Sequence, residues 1–359
     1  MYPRVLIDLS KISHNTRYIT DLCRKQGIKV AAVTKVVCGN FEIAEAMVKN
    51  GAHSIADSRL ENLKKLGELN LEGVKIEKWL LRLPMIAEAE EVVLFSDVSL
   101  NSELSTITAI NYFSSKHKKT HKLILMIEMG DLREGYFTLG ELFLDIEKIV
   151  KMENVVIYGL GVNLTCYGAI IPEVEQMKEL LDIAGRIEKM LGIKLEILSG
   201  GNSSSLPLVL DRKMPEGINH LRLGDSIIMG RETAYCKEIP NMYGDAMILE
   251  VQIIELKDKP SQPMGNSGVD VFGQKPVFVN RGIRRKAIVA IGKQDVEIDD
   301  LTPLVEGIEI LGASSDHLIL DVTDSKEELS VGGTIRFRMG YTATLRAMTS
   351  EYVRKVIHS

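Results

Sequence analysis

The chain has 359 residues, of which 45% are hydrophobic and 26% are charged, a composition that argues against disorder, collagen and coiled coil. Its apolar runs fall far short of the roughly 20 residues of a membrane span, and a net charge of -5 offers no basic surface for nucleic acid. The start lacks the apolar region of a signal peptide. The four scattered cysteines are unlike a disulfide framework or a zinc site. We therefore expect a cytoplasmic protein of about two domains, with no metal, membrane or nucleic-acid partner.

Short runs of Val, Ile and Leu alternate with amphipathic stretches along the first two-thirds of the chain, after a strand-like start at Val5–Ile7. The apolar runs predict eight strands: Val30–Thr34, Ser54–Ala56, Trp79–Leu83, Ser96–Leu100, Leu123–Glu128, Val155–Val162, Leu195–Ser199 and His220–Leu223. The amphipathic stretches predict helices, among them Lys11–Lys25, Phe41–Lys49, Ser58–Leu69, Ser102–Phe113, Leu139–Lys151 and Glu173–Leu191. Asn40 and Ser102 stand where a side chain can cap the first free N–H groups of a helix.

Eight strands that alternate with helices predict an α/β fold, with a parallel sheet covered by helices and right-handed crossovers. A closed (β/α)8 TIM-type barrel has this number of strands and typically ~250 residues. A doubly wound open sheet is the alternative that the pattern leaves open. We expect the barrel to occupy residues 1–231.

The pattern changes after Arg231, where short apolar runs are separated by Gly, Pro, Asn and Asp. These runs predict strands at Ala246–Leu256, Val277–Val279, Arg285–Ile291, Glu309–Leu311, His317–Val322 and Thr334–Arg338. No helical stretch is expected before the last residues. The pattern therefore predicts a mostly antiparallel C-terminal β domain over residues 232–359.

Polar residues follow several predicted barrel strands, at the ends where a (β/α)8 barrel carries its chemistry. Lys35 follows the first strand, Arg133 follows the fifth and Arg222 lies in the eighth. A partly desolvated lysine suits Schiff-base chemistry, although a lone lysine at a strand end more often just extends its ammonium to water. The Gly-Gly-Asn-Ser turn within 199–205 offers N–H groups and hydroxyls to a phosphate. Together these residues indicate a phosphorylated carbonyl cofactor, for which pyridoxal 5'-phosphate (PLP) is the economical candidate.

Two segments carry a specific resemblance, Val33–Gly39 around the lysine and His53–Asn62 after the second strand. With these residues, and with the other matches in strand order, the chain resembles the alanine-racemase group of PLP enzymes. That group pairs a PLP-binding barrel with a C-terminal β domain. The N-terminal stretch is similar to the branch of the group that acts on ornithine. The likeness covers the whole barrel and, more loosely, the β domain.

The resemblance implies roles for individual residues. Lys35 would hold PLP covalently and act as one catalytic base. Arg133 would contact the cofactor's phenolic oxygen and lie near the substrate carboxylate, and Arg222 would face the pyridine nitrogen. The residues implied at the phosphate and the ring are Ser203, the backbone near Gly224, Asn202 and Ser204 on either side of Ser203, and Asn163 in place of the family's histidine.

The chain also departs from the alanine racemases. Gly39 stands where they have a tyrosine that contacts the phosphate, and Met126 stands where they have a lysine that becomes carbamylated. The β-domain tyrosine that supplies their second base is absent from 290–295. The candidates for this second base are Lys293, Cys166, Tyr167, His317 and Tyr341. Ser315 is the best candidate for a second contact to the substrate carboxylate.

The resemblance thus implies a PLP-dependent amino-acid racemase that acts on ornithine and completes its active site only as a homodimer. A distal ammonium would need acidic partners, for which the β domain offers Asp270, Asp295, Glu297 and Asp316. Other reactions on the same scaffold stay open, namely alanine racemisation, decarboxylation and cleavage of a D-amino acid. So do a PLP-binding housekeeping protein without turnover and a barrel aldolase that binds a sugar phosphate.

Overall fold

The computed structural model describes residues 1–71, 73–269, 273, 275 and 277–358. The strands are β1 (Arg4–Asp8), β2 (Lys29–Val33), β3 (Ser54–Asp57), β4 (Asn70–Leu71), β5 (Val74–Lys75), β6 (Lys78–Leu80), β7 (Val98–Asn101), β8 (His121–Ile127), β9 (Val155–Val162), β10 (Ile197–Ser199), β11 (His220–Leu223), β12 (Met247–Pro260), β13 (Ile283–Val289), β14 (Leu301–Pro303), β15 (Glu309–Ala313), β16 (Leu318–Asp321), β17 (Thr334–Met339) and β18 (Arg354–His358). The α-helices are α1 (Leu9–Arg24), α2 (Phe41–Lys49), α3 (Leu60–Lys65), α4 (Ala89–Phe95), α5 (Leu104–Lys116), α6 (Leu139–Ile149), α7 (Val174–Leu191), α8 (Leu206–Leu210), α9 (Asp225–Met229) and α10 (Tyr341–Thr349).

The chain forms two compact units, one of residues 9–244 and one of residues 1–8 with 245–359. The sequence placed the boundary after residue 231 and the first residues in the barrel. The first eight residues belong to the smaller unit instead, because β1 pairs with β12 and with β18. The other boundary lies later because Asn15 of α1 donates to the carbonyl of Tyr243 at 2.8 Å and accepts from its N–H at 2.8 Å. These bonds tie residues beyond 231 to the first helix of the larger unit.

The larger unit is a closed eight-stranded barrel in the order β10-β11-β2-β3-β6-β7-β8-β9. All neighbouring strands are parallel. This confirms the predicted (β/α)8 barrel and rules out the open sheet. The barrel closes tightly at Gly159 of β9, where an added Cβ would lie 1.9 Å from the carbonyl oxygen of Ile197. Glycine is therefore required at that position.

The helix boundaries follow the sequence in part. Asn40 caps α2 as predicted, since its Oδ1 accepts from the N–H of Ile43 at 2.9 Å. The prediction for Ser102 is wrong, because Glu103 precedes α5 and makes no capping bond through its side chain. The predicted helix at 58–69 shortens to α3, and helix α4 was not predicted. None of the helices in the described ranges has the length and apolarity needed to cross a membrane.

The smaller unit is built on a sheet in the order β14-β17-β12-β13-β16-β15, to which β1 and β18 attach. All pairs are antiparallel except β1 with β18, which confirms the mostly antiparallel β domain. The predicted strand at Val277–Val279 is wrong. Val277 is 91% exposed and Val279 is 66% exposed, so these side chains gain nothing from a sheet. Strand β14 was not predicted.

We expect acid to destabilise the barrel through His121, at the start of β8. His121 is buried against Ser99, with Nε2 2.9 Å from Oγ, and burial lowers the pKa of His121 from 6.5 to about 4. The unfolded chain therefore binds more protons than the folded one between these values, and stability falls as pH falls from 6.5 towards 4. Urea unfolding should show a loss of about 2 kcal/mol from this residue between pH 7 and pH 5. His121→Gln should flatten that dependence, and an unchanged slope would contradict the assignment.

Candidate active site

The polar residues predicted at the barrel mouth lie on five neighbouring strands. In order around the barrel these strands are β2, β11, β10, β9 and β8. They carry, at or just after their carboxyl ends, Lys35, Arg222 with Gly224, Asn202 to Ser204, Asn163 and Arg133. In a (β/α)8 barrel these ends form the functional face. The fold therefore places all the barrel residues singled out from the sequence on one arc.

Lys35 begins a 3-10 turn, 35–37, directly after Thr34 at the end of β2, and it is half-buried. The turn is anchored by Asp57 at the end of β3, which is fully buried. Asp57 accepts from Thr34 Oγ1 at 2.7 Å and, through its other oxygen, from Asn62 Nδ2 at 3.1 Å. Burial raises the pKa of Asp57, and these bonds oppose the rise. Asp57 and Asn62 belong to a segment that carries the family resemblance, but the sequence did not predict that they anchor the turn of Lys35.

Gly39 stands where the alanine racemases have a tyrosine, and the structure gives a steric reason for the glycine. Gly39 has φ +62°, and a Cβ there would lie 2.8 Å from Cβ of Asn62. A side chain would collide with helix α3 and strain the backbone. This chain therefore has no room for a tyrosine at residue 39 without moving α3.

Arg222 of β11 is 3% exposed and points into the barrel. Its Nη1 donates to Ser199 Oγ at 2.6 Å and its Nη2 donates to the carbonyl of Val162 at 2.7 Å. Burial lowers the pKa of Arg222 to about 10, and the nearby charge of Arg133 acts in the same direction. The guanidinium is still a cation at neutral pH, held beneath the mouth by a hydroxyl and a carbonyl.

Arg133 lies in the loop after β8 and pairs through Nε and Nη2 with both carboxylate oxygens of Glu134. The Glu134 side chain is 9% exposed, whereas that of Arg133 is 41% exposed. Glu128 shapes the loop by accepting from the N–H groups of Leu132 and Arg133 at 2.9 and 3.1 Å. Sequence reasoning missed Glu134, although its position directly after the site arginine was a readable signal. The site is thus not purely cationic.

The turn after β10 is rich in buried hydroxyls. Ser203 and Ser204 are 4% and 1% exposed, and Ser203 Oγ donates to Ser226 Oγ at 3.1 Å. Asn202 caps the turn by accepting from the N–H of Ser204 at 2.8 Å. Gly224 lets β11 approach β2, since an added Cβ would lie 2.9 Å from Val33. Gly224 therefore lies beside the strand that leads to Lys35, and Ser203 is joined through Ser226 to the segment that follows Gly224.

Asn163 and Cys166 lie on the loop after β9. Asn202 Nδ2 donates to Asn163 Oδ1 at 3.1 Å and is 3.5 Å from Cys166 Sγ. Asp131, which is fully buried, fixes this loop by accepting from the N–H groups of Tyr167 and Gly168 at 3.0 Å each. Cys166 and Tyr167 are both exposed, so they are the second-base candidates that the larger unit itself presents.

The smaller unit carries the other candidates. Lys293 and Ser315 lie in two turns that are hydrogen-bonded to each other, since the N–H of Lys293 donates to the carbonyl of Ser314 at 3.0 Å. Ser315, Asp316 and His317 are exposed, and Tyr341 begins α10. Two acidic candidates are engaged: Asp295 accepts from Ser350 Oγ at 2.6 Å, and Glu297 pairs with Arg346 at 3.1 Å. Asp270 lies outside the described residues.

The chain combines a β unit with a barrel that carries a lysine, two arginines and a hydroxyl-rich turn at its mouth. It has the fold of the alanine racemases. Alanine racemase from Bartonella henselae, solved with covalently bound pyridoxal phosphate, matches with a TM-score of 0.75 and 18% identity over 100% of both chains. Alanine racemase from Bacillus anthracis matches with a TM-score of 0.74 and 15% identity, over 100% of this chain and 96% of that one.

The alanine racemase, N-terminal domain family matches residues 7–232, and the chain belongs to that family. It is 48% identical over 355 residues to ornithine racemase from Acetoanaerobium sticklandii, which covers 99% of each chain. It is 40% identical over 356 residues to lysine racemase from Thermotoga maritima, which covers 99% of this chain and 98% of that one. The family resemblance noted in the sequence is confirmed.

Proposed function

We propose that this chain is a PLP-dependent racemase of basic amino acids, with ornithine as its main substrate. The observation that carries the proposal is the similarity to an ornithine racemase and a lysine racemase along nearly the whole chain. The barrel supports it, because it places Lys35 on the same arc as two arginines and an anion-binding turn. We place the protein in the cytoplasm, in keeping with its four free cysteines.

A buried amide without a partner supports the fit of these residues to PLP. Asn163 is 8% exposed and its buried Nδ2 has no hydrogen-bond partner among the described residues. A buried unpaired amide costs about 1–3 kcal/mol, so it marks a place where a ligand group is expected. Arg222 on β11, and the hydroxyls of Ser203 and Ser204 in the turn after β10, supply further polar groups. This donor set suits a planar ring with a phosphate at one end.

In the proposed site, Lys35 would hold the cofactor through Nζ and would serve as the base that moves the substrate's Cα proton on one face. PLP, when bound, supplies the electron sink that stabilises a negative charge at Cα. Arg222 would donate to the ring nitrogen, and Arg133 would donate to the phenolic oxygen and the substrate carboxylate. Ser203, Ser204 and the N–H near Gly224 would bind the phosphate.

Racemisation needs a second acid/base on the opposite face of the substrate. Cys166 and Tyr167 in the larger unit, and Lys293, His317 and Tyr341 in the smaller one, are the groups that we propose to test for this role. We also propose that the active site is completed in a homodimer, in which Ser315 of a second copy contacts the substrate carboxylate. Single substitutions of the five candidates would identify the group whose loss stops proton exchange on one face only.

Solvent deuterium uptake at Cα tests the proposed function. The protein with added PLP is incubated in deuterated water with L-ornithine, L-lysine, L-arginine, L-alanine or L-serine, and uptake is followed by mass spectrometry. We expect the fastest uptake into ornithine, slower uptake into lysine, and formation of the D-enantiomers. Uptake mainly into alanine would overturn the substrate assignment and retain the mechanism. No uptake into any substrate, with PLP demonstrably bound, would overturn racemisation.

A further inference from the structure

A chain of hydrogen bonds runs beneath Arg222 inside the barrel. Ser199, the last residue of β10, stands opposite His220, the first residue of β11, and its Oγ is 3.0 Å from His220 Nδ1. The same Oγ accepts from Arg222 Nη1 at 2.6 Å. We propose that Ser199 and His220 are positioning residues that fix Arg222 as the hydrogen-bond donor to the ring nitrogen of the cofactor. The proposal rests on the proposed function.

Chemistry determines the direction of the first bond in the chain. Arginine has five N–H donors and no acceptor, so Ser199 Oγ must accept from Arg222. A hydroxyl oxygen has two lone pairs as well as one proton, so Ser199 can bond to His220 Nδ1 in either tautomer of the imidazole. In both cases His220 holds the Ser199 side chain, and Arg222 cannot rotate away without losing its bond to Ser199.

The surroundings of His220 keep its imidazole neutral. The ring is fully buried and stacks on Trp79, with ring centroids 4.3 Å apart and an interplanar angle of 11°. Burial lowers the pKa of His220 well below its usual range, and the positive charge of Arg222 acts in the same direction. Its buried Nε2 has no hydrogen-bond partner in the described part of the chain. A leucine or phenylalanine would avoid this cost, so we infer that the imidazole serves its other nitrogen, Nδ1.

Trp79 is itself fixed, because its Nε1 donates to Glu77 at 2.7 Å. Arg222 is fixed on its other side by the carbonyl of Val162 at 2.7 Å. The guanidinium plane is thus set from both sides before any ligand enters. Such preorganisation strengthens a hydrogen bond to a ligand because less freedom is lost on binding.

The test compares the binding of PLP with that of 1-deazapyridoxal phosphate, which lacks the ring nitrogen. Both are titrated into the full-length protein and followed by absorbance. The wild type should prefer PLP by about tenfold, the value of one hydrogen bond from a charged donor. His220→Phe keeps the stacked ring and removes the nitrogen that bonds to Ser199, and it should reduce the preference to about twofold or less. His220→Asn, whose amide can accept from or donate to Ser199, should restore the preference.

The barrel offers a matched control. Ser99 and His121 form a second buried pair, 2.9 Å apart, on strands β7 and β8. His121→Phe should leave the preference for PLP at about tenfold. If His220→Phe does not fold, Ser199→Ala breaks the same chain at its middle and carries the test.

Two results would overturn the inference while the proposed function stands. One is a wild type that racemises ornithine without preferring PLP over the analogue. The other is that His220→Phe and Ser199→Ala both keep the wild-type preference for PLP. Equal losses of affinity for the two ligands would count as this result, because a merely structural role predicts them. A wild type that neither binds PLP nor exchanges the Cα proton would instead contradict the proposed function itself.

Discussion

Replacing Lys35 with alanine is expected to lower the rate of ornithine racemisation by at least about 10⁴-fold. The variant loses both the amine that holds the cofactor and the base on one face of the substrate, and a positioned base alone contributes about 10²–10⁴-fold. D-ornithine formation measures the rate. Borohydride reduction followed by peptide mass spectrometry measures covalent attachment, which should disappear from the peptide that contains residue 35.

Lys65 provides the control for this experiment. It is an exposed lysine of the neighbouring helix α3, and its Nζ donates to the carbonyl of Cys38 at 3.0 Å. Lys65→Ala removes a positive charge of the same kind near the same turn, and it should keep activity within about twofold of the wild type, as for a typical surface substitution. If Lys35→Ala retained a tenth of the wild-type rate, or if reduction still labelled its peptide, Lys35 would not be the cofactor lysine.

The arc of site residues could be predicted because it depends on local patterns. Eight apolar runs separated by helices predict a parallel sheet, and the carboxyl ends of its strands form the functional face in a closed barrel and in an open sheet alike. Lys35 and Arg133 were found in this way, since each directly follows or closely follows a strand. The Gly-Gly-Asn-Ser turn was readable for the same reason. None of these inferences needs to know which strands are neighbours.

The second layer of the site could not be predicted, because it depends on register between strands. Ser199 and His220 are 21 residues apart, and they meet only because β10 and β11 pair at those two residues. Asp57 reaches Thr34 by the same kind of neighbour relation between β3 and β2. The domain of strand β1 could not be predicted either, because an apolar run such as Val5–Ile7 does not encode which sheet it joins. Register and partner choice are decided by packing of the whole fold.

Replacing Arg133 with methionine is expected to lower kcat/KM for ornithine by about 10²–10³. Arg133 is proposed to bind the substrate carboxylate and the cofactor's phenolic oxygen, and hydrogen bonds to charged groups contribute about 1.5–3 kcal/mol each. The loss should fall on kcat/KM more than on stability, because the Arg133 side chain is 41% exposed. Steady-state kinetics and urea unfolding, run side by side, separate these two effects.

Glu134 decides how the Arg133 result is to be interpreted. Its carboxylate is only 9% exposed and pairs with Arg133, so Arg133→Met leaves a buried charge without its partner beside the substrate carboxylate. The double variant Arg133→Met with Glu134→Gln removes that charge. If Arg133 binds substrate directly, the double variant stays within about threefold of the single one, since the lost contact is not replaced. If the double variant instead recovers most of the activity, the unpaired carboxylate was the cause and Arg133 acts by neutralising Glu134.

Arg133→Lys completes the comparison, because it keeps the positive charge and loses the planar pair of donors. A direct role predicts a lysine variant well below the wild type, whereas neutralisation alone predicts one close to it.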